Sequence, residues 1–148
     1  MEAHEMAADL LDNLQMLRKL RPQRNIDSAL RGEAFVLGYI ALNGEGVLPG
    51  EISQQMGVSS ARVAKALNGL EHKGLITRQI NTRDRRQIVV NVTQSGQTLA
   101  EEHRKAVLDE VGKLLNLLGD DDAREYIRLT GKLVALAKDH TWGCDQPE

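Results

Sequence analysis

The sequence predicts a mostly α-helical fold that carries one small β-hairpin. Three observations predict it. Apolar residues recur at three- and four-residue spacing through most of the chain, as on helices with one buried face. Two short β-branched runs, residues 75–80 and 87–92, flank the polar stretch Asn81–Arg86, which is the pattern of a hairpin. Aromatic residues are only 3% of the 148, against a hydrophobic fraction of 41%, so the core is built mainly from Leu, Ile, Val, Ala and Met. That length fits one compact domain, or one small domain with a helical appendage.

The first helix covers residues 5–20, with Ala7, Leu10, Leu14 and Leu17 on one face and Leu11 and Leu20 beside them. Arg21-Pro22 ends or bends it. A second helix runs from Ser28 or Leu30 to Leu42, with Ala34, Leu37, Ile40 and Ala41 turned inward. Asn43-Gly44-Glu45-Gly46 breaks the pattern. Gly44-x-Gly46 is no dinucleotide loop, because Pro49 stands where a third glycine is required. Val47-Leu48 suits a short strand, and Pro49 suits the first turn of a third helix over 50–56. Gly57 frees the backbone for a sharp turn. Ser59 or Ser60 caps a fourth helix that runs to Lys73, and Gly74 takes the left-handed position beyond it. After the hairpin, Thr93 or Ser95 caps a long helix over 96–118, with Val107, Val111, Leu114 and Leu118 in 4-3-4 spacing and Leu108, Leu115 and Leu117 widening the apolar arc. Gly119 and Asp120–Asp122 stop that helix and cap the last one, 123–139, which carries Ile127, Leu133, Val134 and Leu136.

Ile52, Met56, Val58, Val63, Leu67 and Leu70 have the spacing of a tri-helical helix–turn–helix core. That packing leaves Ser59, Ser60, Arg62, Lys65, Ala66 and Asn68 on the outward side of the fourth helix. Small and polar side chains there allow a helix to settle into the major groove, with Arg62 able to reach guanine and Asn68 adenine or phosphate. Read alone, the segment is equally a solvated helix face.

The hairpin tip alters that balance. Arg83, Asp84, Arg85 and Arg86 crowd three cations onto an exposed turn, where a polyanion relieves their repulsion. A thin cationic tip fits the narrow, electronegative minor groove. Asp84 is placed to orient a neighbouring guanidinium through a charge-assisted hydrogen bond. The formal charge of the chain is −2, yet residues 49–93 carry seven Lys/Arg against three Asp/Glu, while the segments on either side are net acidic. DNA contact follows this local field rather than the total. These features together predict a winged helix–turn–helix that binds duplex DNA.

At these residues the chain resembles the MarR family of winged-helix transcriptional regulators. The resemblance is carried by Val58-Ser59-Ser60-Ala61-Arg62-Val63, Leu70-Glu71-His72-Lys73-Gly74-Leu75-Ile76, Asp84-Arg85-Arg86 and Val90-Asn91-Val92-Thr93-Gln94-Ser95-Gly96. Val92 replaces the family's usual leucine. The layout matches over nearly the whole chain. The resemblance implies a homodimer joined by the first and the last two helices, a pseudo-palindromic operator and, usually, repression. It also implies Arg86 as the minor-groove finger, with Asp84 as its orienting partner. Many members release DNA when a small phenolic or lipophilic compound binds, so an effector is a candidate partner; Leu14, Phe35 and Tyr39 are candidate pocket residues, or plain core. Members that sense oxidants use a cysteine near the N-terminus, and here Cys144 is the one cysteine. Metal-sensing members need clustered ligands, whereas His4, His72, His103 and His140 form no i, i+4 pair.

The expected division is a DNA-binding region over 29–95 and a helical dimerisation region over 1–28 and 96–148. The dimer has a physical basis as well, since helices apolar over a wide arc need cover on more than one side; the alternative is a monomeric bundle. Cys144 excludes an intrachain disulfide or multi-cysteine metal site; it reads as a tail thiol, with a thiol switch or intersubunit crosslink as the alternative. No run approaches the roughly 18 apolar residues of a membrane span, and the N-terminus lacks a signal-peptide pattern, so a cytoplasmic protein without membrane contact is expected. No P-loop, H-E-x-x-H or G-x-S-x-G appears, and Glu101-Glu102 and Asp120–Asp122 are explained by solvation and capping. No catalytic residue, cofactor or metal is expected. The rival reading is a winged helix whose hairpin docks an acidic protein partner.

Overall fold

The computed structural model describes residues 3–19 and 32–139. Its elements are α1 (Ala3–Lys19), α2 (Glu33–Asn43), α3 (Pro49–Met56), α4 (Ser60–His72), β1 (Ile76–Ile80), β2 (Ile88–Val92), α5 (Gln94–Leu118) and α6 (Asp120–Asp139). This is the mostly helical chain with one antiparallel hairpin that the sequence predicts. The Arg21-Pro22 break, Leu20, His140 and Cys144 lie outside the described residues. By contact density the chain divides into two units, Met1–Glu110 and Val111–Glu148.

In the first unit, one aliphatic cluster holds the helix–turn–helix together. Val36, Leu37 and Ile40 of α2 meet Val47, Ile52 of α3, Val63, Leu67 and Leu70 of α4, Ile76 of β1, Val90 of β2 and Ala100 of α5. Met56 and Val58 pack on this cluster half-buried, so all six residues read as the tri-helical core lie in it or against it. Ala66, read as outward, also turns to this cluster. Its neighbour Leu67 is fully buried, and the helical arc that buries Val63, Leu67 and Leu70 takes Ala66 partly with it.

The turns explain why the elements stop where they do. Gly57 sits at φ 61°, ψ 34°, and its N–H donates to Ser53 O; the Ser53 hydroxyl donates to Val58 O at 2.7 Å, so both sides of the turn between α3 and α4 are tied. Ser59 is the residue that caps α4, its Oγ accepting from Arg62 N–H at 3.3 Å. At the far end Gly74 takes φ 71°. Leu75 N–H donates to Leu70 O and Gly74 N–H to Glu71 O, a Schellman closure that turns the chain straight into β1.

Several boundaries differ from the sequence reading; α1 and α5 each begin two residues earlier, at Ala3 and Gln94. α2 starts at Glu33, because Gly32 is extended and offers no side-chain cap. The short strand is a single bridge: Val47 exchanges two hydrogen bonds with Val90. α6 begins at Asp120, so the three aspartates occupy its first turn, where they meet the positive end of the helix dipole.

β1 and β2 pair from Ile76↔Val92 to Ile80↔Ile88. Thr93 fastens their exit. Its hydroxyl donates to Gly74 O at 2.8 Å and accepts from Gly96 N–H at 3.1 Å, which identifies Thr93 as the α5 cap. Gly96 is buried against Leu75, and an added Cβ would collide with the Leu75 carbonyl oxygen. Asn91 ties the hairpin to the loop after α2, since its Oδ1 accepts from Gly46 N–H at 2.6 Å.

The terminal helices stand apart in their packing. Neither α1 nor α6 buries a single residue. Leu10, Leu14 and Leu17 of α1 and Ile127, Leu133, Val134 and Leu136 of α6 are all exposed.

Candidate nucleic-acid interface

Because α4 spends Val63, Leu67 and Leu70 on the core, its other side faces solvent. Ser59, Ser60, Arg62, Lys65 and Asn68 are all exposed along that side. The Ser59 hydroxyl is already engaged there in capping.

The hairpin tip is ordered by its own polar groups. Asn81 N–H donates to Gln87 O at 2.9 Å, and Gln87 N–H donates to Asp84 O at 3.0 Å. Asn81 Oδ1 accepts from Arg83 N–H and Asp84 Oδ1 from Arg86 N–H, each at 3.0 Å, two Asx turns in succession. Asp84 therefore orders the backbone that carries Arg86, instead of holding a guanidinium as the sequence reading expected. A backbone N–H two residues on is closer and costs no side-chain entropy to align. Arg83, Arg85 and Arg86 are exposed, and among the described residues none of them forms an ion pair with a carboxylate.

Sequence reasoning missed Arg78. On β1 it shares the inward face with Ile76. Its guanidinium reaches back to α4, with Nε and Nη2 donating to the two oxygens of Glu71 at 3.0 Å each. Nη2 also donates to Asn68 Oδ1 at 2.7 Å. Asn68 and Glu71 are three residues apart and so stand on one helix face. These bonds hold the Glu71 carboxyl below its ordinary range and push the Arg78 guanidinium up. Asn68, read as a DNA contact, thus has its carbonyl oxygen engaged by Arg78. A signal was available: strand alternation puts a cation on the apolar face, where it needs a partner.

A separate cavity of about 370 Å³ lies between α2 and the first half of α5. Phe35, Tyr39 and Leu42 line one side, and Ala100, His103 and Val107 the other; Leu14 is not part of it. No group of three or more His, Cys, Asp or Glu fit to hold a metal occurs among the described residues. None of the described helices is long and apolar enough to cross a membrane.

Known proteins share this combination of sequence and fold. Residues 30–87, which span α2, the helix–turn–helix and the hairpin tip, match the sequence profile of the MarR family. Over this segment the chain resembles the MarR family. Among similar proteins, the HTH-type transcriptional repressor MdtR of Bacillus subtilis is 29% identical, over 92% of this chain and 90% of that one. The crystal structure of YusO from Bacillus subtilis matches at 26% identity and a TM-score of 0.67, covering 93% of this chain and all of that one, 100%. The fold also matches a mutant of MarR from E. coli in complex with operator DNA, at a TM-score of 0.71 and 21% identity, over 90% of this chain and 99% of that one. The profile and these likenesses point to a regulator of transcription rather than to an enzyme.

Proposed function

We propose that this chain is a MarR-family regulator that binds a pseudo-palindromic operator as a homodimer and represses transcription from it. Residues 29–95 form the DNA-binding region, and 1–28 with 96–148 the dimerisation region. Ser59, Ser60, Arg62, Lys65 and Asn68 meet the major groove, while Arg83, Arg85 and Arg86 enter the minor groove or grip its phosphates. Asp84 presets the backbone of Arg86.

The observation that carries this reading is the pairing of a solvent-facing α4 with a tip whose three arginines have no carboxylate partner among the described residues. A polyanion is the partner that such a surface lacks. The uncovered apolar faces of α1 and α6 support the dimer, and the twofold would set the two copies of α4 about 34 Å apart, one turn of DNA. MdtR, a named repressor, supports the sign of regulation. The cavity between α2 and α5 supports release by a small, largely apolar effector, since a lining that is mostly aliphatic and aromatic rewards desolvation.

Selection of bound duplexes from a random pool tests this reading. It yields inverted half-sites about ten base pairs apart if the proposal holds. Recovery of no duplex at low salt favours the acidic-protein partner instead. Arg86→Ala weakens operator binding by roughly tenfold or more at fixed salt and leaves the dimer intact. Unchanged affinity in that variant removes Arg86 from the interface.

A further inference from the structure

The hairpin is a lever, and its aim depends on its base. A two-stranded sheet has little rigidity of its own. Ile76, at the root of β1, is buried in the core, but Ile80 at the outer end is 65% exposed. Four residues of strand separate them, about 13 Å at a rise of ~3.3 Å per residue. A tilt of about 10° at the root therefore moves the outer end by roughly 2 Å, which exceeds the tolerance of a hydrogen bond. The arginines of the tip lie farther out still.

What resists that tilt lies midway along β1. Arg78 makes three hydrogen bonds of 2.7–3.0 Å to two residues of α4, so one planar group spans strand and helix. Arg78 stands opposite the fully buried Val90, which keeps its stem against the core while its side chain remains 28% exposed. A guanidinium presents its donors in a rigid fork, which an ammonium cannot reproduce. The same contact neutralises Glu71, an acidic group on the helix that would otherwise repel phosphate.

We propose that Arg78 is a positioning residue: with Glu71 and Asn68 it clamps the hairpin to α4 at one angle, so that tip and helix fit a single operator spacing. Glu71, an acidic residue inside a cationic segment, serves DNA binding by holding that angle. The proposal rests on the DNA-binding reading, and its two measurements separate the two ideas.

The first measurement needs no DNA. A spin label on Thr82→Cys, in a Cys144→Ser background, reports the mobility of the tip. Arg78→Lys and Glu71→Gln each increase that mobility, with the circular dichroism of the wild type retained. The second measurement compares operator with mixed-sequence duplex. Both variants lower the ratio of the two affinities by about fivefold or more, because a loose wing still meets phosphate but no longer one geometry. The salt dependence stays at the wild-type slope. An unchanged ratio in both variants overturns the proposal. So does a lowered ratio without gain in mobility, which would make Arg78 a direct base contact. So does a slope reduced by about one for the neutral variant Arg78→Gln, the mark of a phosphate contact. Failure of the wild type to bind any duplex would sink the DNA reading and leave the mobility result standing. Should Arg78→Lys unfold, Glu71→Gln carries both measurements alone.

Discussion

Helices α4 and α6 are both amphipathic, and they end in opposite situations. α4 buries Val63, Leu67 and Leu70 at 1% exposure each. α6 buries none of its 20 residues and leaves Leu133 at 66%. An apolar stripe states that a helix needs cover, not who provides it. For α4 the cover comes from its own chain, through α2, α3 and the hairpin. For α6 the described residues provide none, which is why a second copy is the proposed partner. α4 is thereby free to offer its polar side to a ligand, whereas in α6 the apolar side is the one on offer.

The sharpest way to break that comparison is to remove cover from α4. Leu67→Ala leaves a cavity in the middle of the aliphatic cluster and costs about 2–5 kcal/mol of stability, read as a lowered midpoint in urea. A loss under about 1 kcal/mol would show that α4 is not held by this core. The same change at Leu133 should scarcely alter the fold. Leu133→Lys instead raises the dissociation constant of the dimer by about tenfold or more, because a charge is then buried without a partner. Sedimentation at graded concentration reads this. A dimer unchanged in strength takes the face of α6 that carries Leu133 out of the interface.

The smallest expected effect is on pH. Glu71 has its carboxyl held below the ordinary carboxylate range, first by the hydrogen bonds from Arg78. A depressed carboxyl contributes stability above its unfolded value and loses it as pH falls through the folded one. The contact between Glu71 and Arg78 is therefore intact at neutral pH and lost only at acid pH below the ordinary carboxylate range. Since Glu71 lies at the surface, solvent screens the gain. The gap in melting temperature between wild type and Glu71→Gln should shrink as pH falls from about 6 to about 3. A constant gap would show that the carboxylate charge contributes nothing.

How far residues could be read before the fold was known depended on whether their partners are near in sequence. Gly57, Ser59, Gly74 and Thr93 were legible because caps and turns are made by groups a few residues apart. Ile52, Val63, Leu67 and Leu70 were legible because helical periodicity selects a face. Asp84 reads from sequence as the holder of a guanidinium, whereas its carboxylate accepts from the Arg86 N–H, since donors two residues apart at a tip share one sequence. Arg78 was not picked out, although its position on the apolar face of β1 asked for a partner. Ala66 was set on the wrong side because a residue at the edge of a helical stripe belongs to either face.

The amino-acid sequence by itself determined the element order, the tri-helical core, the hairpin and the concentration of positive charge at its tip. These depend on periodicity, turn chemistry and local charge, all written within short windows of chain. Only the tertiary structure decided that Arg78 reaches Glu71 and Asn68, that Val47 joins the hairpin at Val90, and that α2 and α5 enclose a cavity. Each of these joins groups on different elements, and their meeting is set by how packed helices and strands orient one another in space.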